Sequence, residues 1–282
     1  MIKRELKVNL RSFLIWTGTM LVTLLLIYLV YPSIVSDGKG NKVNEMLEAA
    51  GIDRVEYLLN THPHADHAGG LFSLLKRGFP IGAFITFFPY DYDEAYQVVI
   101  QRQVIDALEE AGVPILDLHT GETIPFGGAT LTALRVPEDR MVWGMTCNNL
   151  SAMLMAELGD CRILLTGDVE AQGQRILASV YDLGADIMKF PHHGLNRADF
   201  SFLRAVSPSF AFFTNGSAHT RDAQRQLRRA RCGMTFANWG ILRMETDGTR
   251  WILHQDFLPE ILKHAQKFHH IVISPETAPK GA

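Results

Sequence analysis

Thr61-His62-Pro63-His64-Ala65-Asp66-His67-Ala68-Gly69-Gly70 places four potential metal ligands, three imidazoles and a carboxylate, within six residues and ends on two glycines. His62 and His64 stand two apart, so an extended backbone points both the same way. Asp66 and His67 must turn past them toward a second position, which is a spacing for two ions. Zinc accepts nitrogen and oxygen ligands, and a catalytic site keeps one coordination position open for water. The bland alternative is a polar surface loop with chance histidines, and the surrounding sequence has to decide between the two.

Residues 55–59 form a short apolar run that predicts a buried strand, and residues 68–76 predict the helix that follows. The ligands therefore sit at a strand-to-helix turn. Two later segments supply what two ions would still need, an anionic oxygen to bridge them and a further imidazole. Arg162-Ile163-Leu164-Leu165-Thr166-Gly167-Asp168 reads as an apolar strand that projects Asp168 from its end, and Phe190-Pro191-His192-His193-Gly194 delivers imidazoles from another. Asp168 alone could be a turn aspartate, and the histidine pair a capped loop; beside the first loop both read as ligands. Glu170 reads as an early-helix residue favoured by the helix dipole.

Strand patterns at 130–136, 151–157, 186–190 and 209–214 alternate with helical ones at 93–111, 170–183, 200–206 and 221–231. Gly112 is placed to end the second helix, and Thr220 to cap the last one at its start. Closing strands are expected over 234–254 around an Asp247-Gly248 turn. The class is mixed α and β, with one domain over 33–256, no internal repeat, and a tail over 257–282.

The chain has 282 residues, 47% of them hydrophobic, enough for a sizeable core. Its net charge of −3 excludes a global pull toward nucleic acid or anionic lipid, so any such attraction must be local. Cys147, Cys161 and Cys232 are scattered and indicate neither a thiolate zinc site nor a disulfide framework. Residues 13–31 form an uncharged run of 19 residues, which predicts one transmembrane helix. Lys3, Arg4, Lys7 and Arg11 precede it and place residues 1–12 in the cytoplasm, making this a single-pass cell-membrane protein with its domain outside. The rival readings are a cleaved signal peptide and a buried strand within residues 24–36.

In order, Asp37-Gly38, Thr61 to Gly70, Asn148-Asn149-Leu150-Ser151, Thr166-Gly167-Asp168, Pro191-His192-His193-Gly194 and Ala218-His219 resemble the metallo-β-lactamase fold superfamily, in particular the hydrolase domain of ComEC-type competence proteins. The resemblance implies an α+β class and an αββα sandwich, here preceded by the transmembrane helix, with the metals at one edge between two sheets and a hydroxide held between them. It implies two divalent ions, zinc first and manganese as the alternative. His62 and His64 would hold the first ion, Asp66 and His67 the second, and Asp168 would bridge both. His193 is favoured as the remaining ligand, with Asp66 orienting the hydroxide and His192 facing the reaction or the substrate. His219 and Asn149 would contact substrate.

Many members supply another metal histidine where this chain has Asn148 and Asn149, so weaker occupancy of the first site is expected. The strands the family places before the Asp-Gly turn give way here to the membrane segment. Asp168 and His67 together argue against the cysteine-ligand type of true β-lactamase. The chemistry implied is hydrolysis of phosphodiester bonds, of DNA or another phosphoester. Hydrolysis of a lactam, lactone or thioester is the alternative among enzymes, and a metal-poor binding module at the membrane the alternative outside them. With at most one membrane helix the chain is not itself a DNA channel. Arg221, Arg225, Arg228, Arg229 and Arg231 face only Asp222 on their helix and could contact phosphates or form a solvated basic face. His254, His264, His269 and His270 carry no partner pattern.

Overall fold

The computed structural model describes residue 47 and residues 51–87, 95–257 and 271–273, without the side chains of 95–100 and 271–273. The expected membrane helix over 13–31, its alternative strand, the Asp37-Gly38 turn, the helix start at 93 and most of the tail lie outside these residues. Among the described residues no helix is long and apolar enough to cross a membrane.

The first half of the fold runs β1 (Val55–Asn60), α1 (Ala65–Lys76), β2 (Ile81–Thr86), α2 (Ala95–Glu110) and β3 (Ile115–Asp117). Its strands form a parallel three-stranded sheet in that order. The chain continues with β4 (Thr123–Phe126), β5 (Ala129–Leu134), β6 (Met153–Leu158), β7 (Cys161–Leu165), α3 (Ala171–Val180), β8 (Ile187–Lys189), α4 (Phe200–Val206), β9 (Phe210–Phe213), α5 (Arg221–Arg229) and β10 (Gly233–Phe236). These strands build a seven-stranded sheet ordered β10-β9-β8-β7-β6-β5-β4. Its β7–β10 half is parallel, as crossovers through helices require, and its β4–β7 half is antiparallel. β11 (Gly240–Thr246), β12 (Trp251–Phe257) and β13 (Ile271–Ile273) close the fold as an antiparallel sheet.

The seven-stranded sheet is buried on both faces because its strands alternate large apolar residues on each. Met153 and Met155 of β6, Leu164 of β7, Met188 of β8 and Phe213 of β9 join the core beneath α3, α4 and α5. Leu154, Ile163, Leu165, Ile187, Phe210 and Phe212 point the opposite way and meet Ile85, Met244, Trp251 and Leu253 of the facing sheets. On the far side of the first sheet, Phe84 packs with Ala68, Leu71, Val104 and Leu108 of α1 and α2. The layering is helix, sheet, sheet, helix, an α+β sandwich. All three cysteines are buried, and burial pushes the Cys232 thiol up to about 12, so it packs as a small apolar residue.

Several local expectations need correction. β2, β3 and β4 were not anticipated. α1 begins at Ala65, three residues before the expected start. His64 adopts an extended N-cap conformation, and its carbonyl accepts the first helical bonds from His67 N (2.9 Å) and Ala68 N (2.8 Å). Thr220 occupies the N-cap position of α5, yet its hydroxyl donates backward to the Gly216 carbonyl at 3.4 Å and makes no capping bond.

Candidate metal centre

Strand ends at the edge where the two sheets face each other carry the candidate ligands. β1 leads into residues 61–67 and β7 into Asp168; β8 leads into residues 190–194, and β9 ends beside Thr214. A backbone bond from Ala152 N to Thr61 O (3.1 Å) ties the two sheets together at this edge. Two turns aim the ligands. Gly167 has φ +53°, and its backbone runs so close to Ala152 that a Cβ would lie 3.0 Å from the Ala152 carbonyl oxygen. His192, His193 and Gly194 are three successive left-handed residues, with φ of 47°, 53° and 77°. Such a run is costly outside glycine and persists only where packing enforces it.

The structure brings Asp66, His67, Asp168 and His193 together, each offering one ligand atom, all within 4.8 Å of one another. Asp168 Oδ2 lies 3.2 Å from His67 Nε2 and 3.0 Å from His193 Nε2. The two imidazole nitrogens stand 3.2 Å apart, and Asp66 Oδ2 is 3.7 Å and 3.5 Å from them. Two carboxylate oxygens and two imidazole nitrogens converging on one point are the donor set of a divalent ion such as zinc, so the residues fit the ion that the fold implies.

The other half of the histidine loop is arranged differently. His62 is fully buried; its Nε2 faces His64 Nδ1 at 3.1 Å and its Nδ1 faces the Thr61 hydroxyl at 3.0 Å. The remaining oxygen of Asp168, Oδ1, faces the Lys189 ammonium at 3.4 Å, and Lys189 Nζ also donates to the Gly167 carbonyl at 2.7 Å. Donors for a second ion are thus sparser, and none of the asparagines replaces the missing imidazole. Asn148 and Asn149 turn toward Glu170 instead.

Burial works to raise the Asp168 carboxyl, but Lys189, His67 and His193 outweigh it and hold it well below the usual range. Burial pushes the Lys189 ammonium down, with Asp168 opposing. Asp66 is held low by His193 and His67 against its own partial burial. Burial drives the His62 imidazole well below its ordinary value, reinforced by His67. The unfolded chain therefore takes up a proton at position 62 that the folded chain refuses. Stability from this residue is undiminished above about pH 6.5 and is lost as pH falls below it, by up to about 1.4 kcal/mol per pH unit. In chelator, the melting midpoint is expected to fall from about pH 7 to about pH 5, and to fall less in His62→Gln. Equal slopes in the two proteins would contradict this.

His193 is fixed from behind. Its Nδ1 hydrogen-bonds the buried Thr214 hydroxyl at 2.6 Å, which turns Nε2 toward the other ligands. Thr214→Val is expected to weaken metal affinity about 10- to 100-fold, and Thr214→Ser to keep it, as read by competition with a chelating dye.

His192 lies outside the ligand group. Its Nδ1 is 3.4 Å from Glu170 Oε1, and Asn148 Nδ2 approaches its Nε2 at 3.5 Å. Glu170, expected to be a mere early-helix residue, is a hub: it also accepts from Thr146 Oγ1 and Asn148 Nδ2, each at 3.2 Å. Asn149 is 4% exposed, and its side chain is spent internally, on Thr146 Oγ1 at 2.9 Å and on Gly173 N at 2.8 Å. It clasps the start of α3 and lines the groove beside His192. His219 is exposed and is not one of the four converging residues. Lys189, Thr214 and Glu170 are the site residues that sequence reasoning missed. A lysine inside the otherwise apolar strand before Pro191 was the available signal for the first.

A cavity of about 100 Å³ extends inward from the centre between α1 and β1. Asp66, His67, Lys189 and His193 line its polar end, and Leu71, Leu154 and Leu165 are among its apolar walls.

The sequence family described as the metallo-beta-lactamase superfamily matches residues 31–214. Competence protein ComA of Neisseria gonorrhoeae is 28% identical over 190 residues, 64% of this chain and 24% of that protein. ComE operon protein 3 of Bacillus subtilis (strain 168) is 28% identical over 183 residues, 60% of this chain and 21% of that protein. The matched region thus spans about a quarter of the length of these relatives or less. The metallo-beta-lactamase fold protein YhfI of Bacillus subtilis aligns over 69% of this chain and 78% of its own, at 13% identity and a TM-score of 0.44.

Proposed function

Because the chain belongs to the metallo-beta-lactamase superfamily, we propose that it is a metal-dependent hydrolase of phosphodiester bonds, held at the membrane by residues 13–31. The convergence of Asp66, His67, Asp168 and His193 within 4.8 Å carries the hydrolase reading. The likeness to two competence proteins, together with the chain's locally basic helix, favours a phosphodiester over a lactam or thioester.

These four residues would hold one ion tightly, with His62 and His64 offering a weaker place for a second, zinc or manganese in each case. A divalent ion there supplies Lewis acidity, activating water and neutralising charge that develops on the substrate. Asp66, one-third exposed at its side chain, stands at the open side of the group, where its carboxylate orients the attacking water. Asp168 provides a fixed negative charge, with Lys189 buried behind it as counter-ion. His192, braced by Glu170, would face the reacting substrate.

The test is metal analysis of the full chain together with turnover of bis-p-nitrophenyl phosphate, single-stranded DNA and nitrocefin. At least one tightly bound zinc or manganese per chain and phosphodiester turnover are expected. Nitrocefin turnover alone would move the assignment to lactams, and no metal with no turnover would leave a binding module. Protease accessibility of the domain in intact cells tests the membrane orientation.

A further inference from the structure

Charge is distributed very unevenly along this chain. Residues 191–233 hold seven arginines, no lysine and two aspartates, a formal +5 within a chain whose total is −3. Both aspartates are already engaged, Asp199 by Arg175 at 3.0 Å and Asp222 by Arg225 at 2.8 Å. Arg197, Arg204, Arg221, Arg229 and Arg231 are exposed and form no ion pair among the described residues.

The stability of α5 does not account for this arrangement. Ala223, Gln224 and Leu227 face inward, while Arg221, Arg225, Arg228 and Arg229 follow one another outward at spacings where like charges repel. Arg221 also stands in the first turn, the end of a helix that disfavours a cation. Yet α5 packs against the loop that leaves the candidate centre. The Thr220 methyl would lie 2.9 Å from a Cβ placed on Gly194, the residue after His193. The Gln226 side chain clasps Ala198, accepting from its N–H at 3.0 Å and donating to its carbonyl at 2.7 Å. A groove bounded by the start of α3 and this same loop is lined by Asn149, Glu170, Arg175, His192, Asn196 and Arg197.

We propose that the arginine face of α5, continued by Arg197 and Arg204, is a docking track for the sugar-phosphate backbone of a polynucleotide, leading it along the His192 groove to the metal centre. Guanidinium groups bind phosphate through paired N–H donors, which suits an all-arginine face. Arg221, Arg225 and Arg229 recur every fourth residue, about 6 Å apart along the axis, so they form a row along one line. A membrane surface fits less well. A helix lying on lipid inserts an apolar face, and the apolar face of α5 is buried in the core.

The inference rests on the phosphodiesterase reading in taking the bound strand as substrate. The experiment measures binding of a labelled single-stranded oligonucleotide to the full chain in non-ionic detergent and chelator, by fluorescence anisotropy over a range of salt. Arg221→Gln/Arg225→Gln/Arg229→Gln is expected to bind at least about 10-fold more weakly, with a salt slope smaller by about 2, because each phosphate contact on a single strand contributes about 0.7. Turnover of bis-p-nitrophenyl phosphate should be unchanged. Arg197→Gln/Arg204→Gln, on a different element, should shift affinity in the same direction. Unchanged affinity and slope in both variants overturns the proposal, as does loss of binding to phosphatidylglycerol vesicles with oligonucleotide binding intact. A chain that hydrolyses no phosphodiester but binds the strand through these arginines overturns the phosphodiesterase reading alone. One that hydrolyses bis-p-nitrophenyl phosphate yet binds without them overturns this inference alone.

Discussion

Replacing Asp168 by alanine is expected to empty the metal centre and to lower hydrolysis on the order of 10³-fold or more, the largest functional effect of any single substitution in this chain. Asp168 Oδ2 is the nearer carboxylate oxygen to the Nε2 of both His67 and His193, so its removal leaves two imidazoles and the more exposed Asp66. The same change should also destabilise the metal-free protein. Lys189, 3% exposed, would lose its counter-ion and be left facing only the Gly167 carbonyl. Breaking one side of a buried pair costs about 3–5 kcal/mol, whereas replacing both sides with apolar groups is often close to neutral. Asp168→Ala should therefore melt well below the parent in chelator, and Asp168→Ala/Lys189→Met should regain much of that stability without regaining metal. Retention of metal by the single variant would remove Asp168 from the centre; equal stability of parent and single variant would remove Lys189 from its role as counter-ion.

Gly194→Ala should produce the second large effect, through backbone geometry. At φ +77° an alanine is strained, and its Cβ would meet the Phe213 ring, 2.6 Å from Cε1, and the Thr220 methyl at 2.9 Å. Phe213 cannot move aside, since it is fully buried and stacked between Phe190 and Phe236 with ring centroids 4.9 Å away on each side. Left-handed strain and overpacking together should cost about 3 kcal/mol. Because His193 is the preceding residue, metal affinity should fall at least about 10-fold with it. Leu195→Ala, one residue further on and 51% exposed, is the control expected to change neither. A Gly194→Ala protein with parental melting and metal affinity would show that this strap tolerates rearrangement.

Asp66 and His67 were legible as candidate ligands because they stand in a dense run of possible ligands ahead of Gly69-Gly70, and Asp168 and His193 because each adjoins a glycine just after an apolar run. The β7, β8 and β9 strands were legible for the same reason, being short apolar runs between turn residues. What escaped was set by partners distant in sequence. Glu170 looks like any acid at a helix start until Thr146 and Asn148 are seen to converge on it, some 24 and 22 residues earlier. Thr214 directly follows an apolar strand and gains meaning only from His193, 21 residues away. Asn149 looked available for substrate, but local sequence does not reveal that the Gly173 N–H would claim its carbonyl oxygen. His192 and His193 are adjacent and chemically identical; only the successive left-handed turns send one inward and the other to Glu170.

His67 and His193 are 126 positions apart, and they follow strands of different sheets. The ligand group therefore does not exist in either half of the molecule alone, and comes into being only when the two sheets dock. Assembly of the centre depends on contacts distant in sequence, whose loop-closure cost is met before they are made. An ion held by these four residues would act as a rivet across that seam, since the donor set exists only in the closed form, and would stabilise closure in proportion to the logarithm of its free concentration. Metal supply would then govern how long the two halves stay shut as well as whether the centre is loaded.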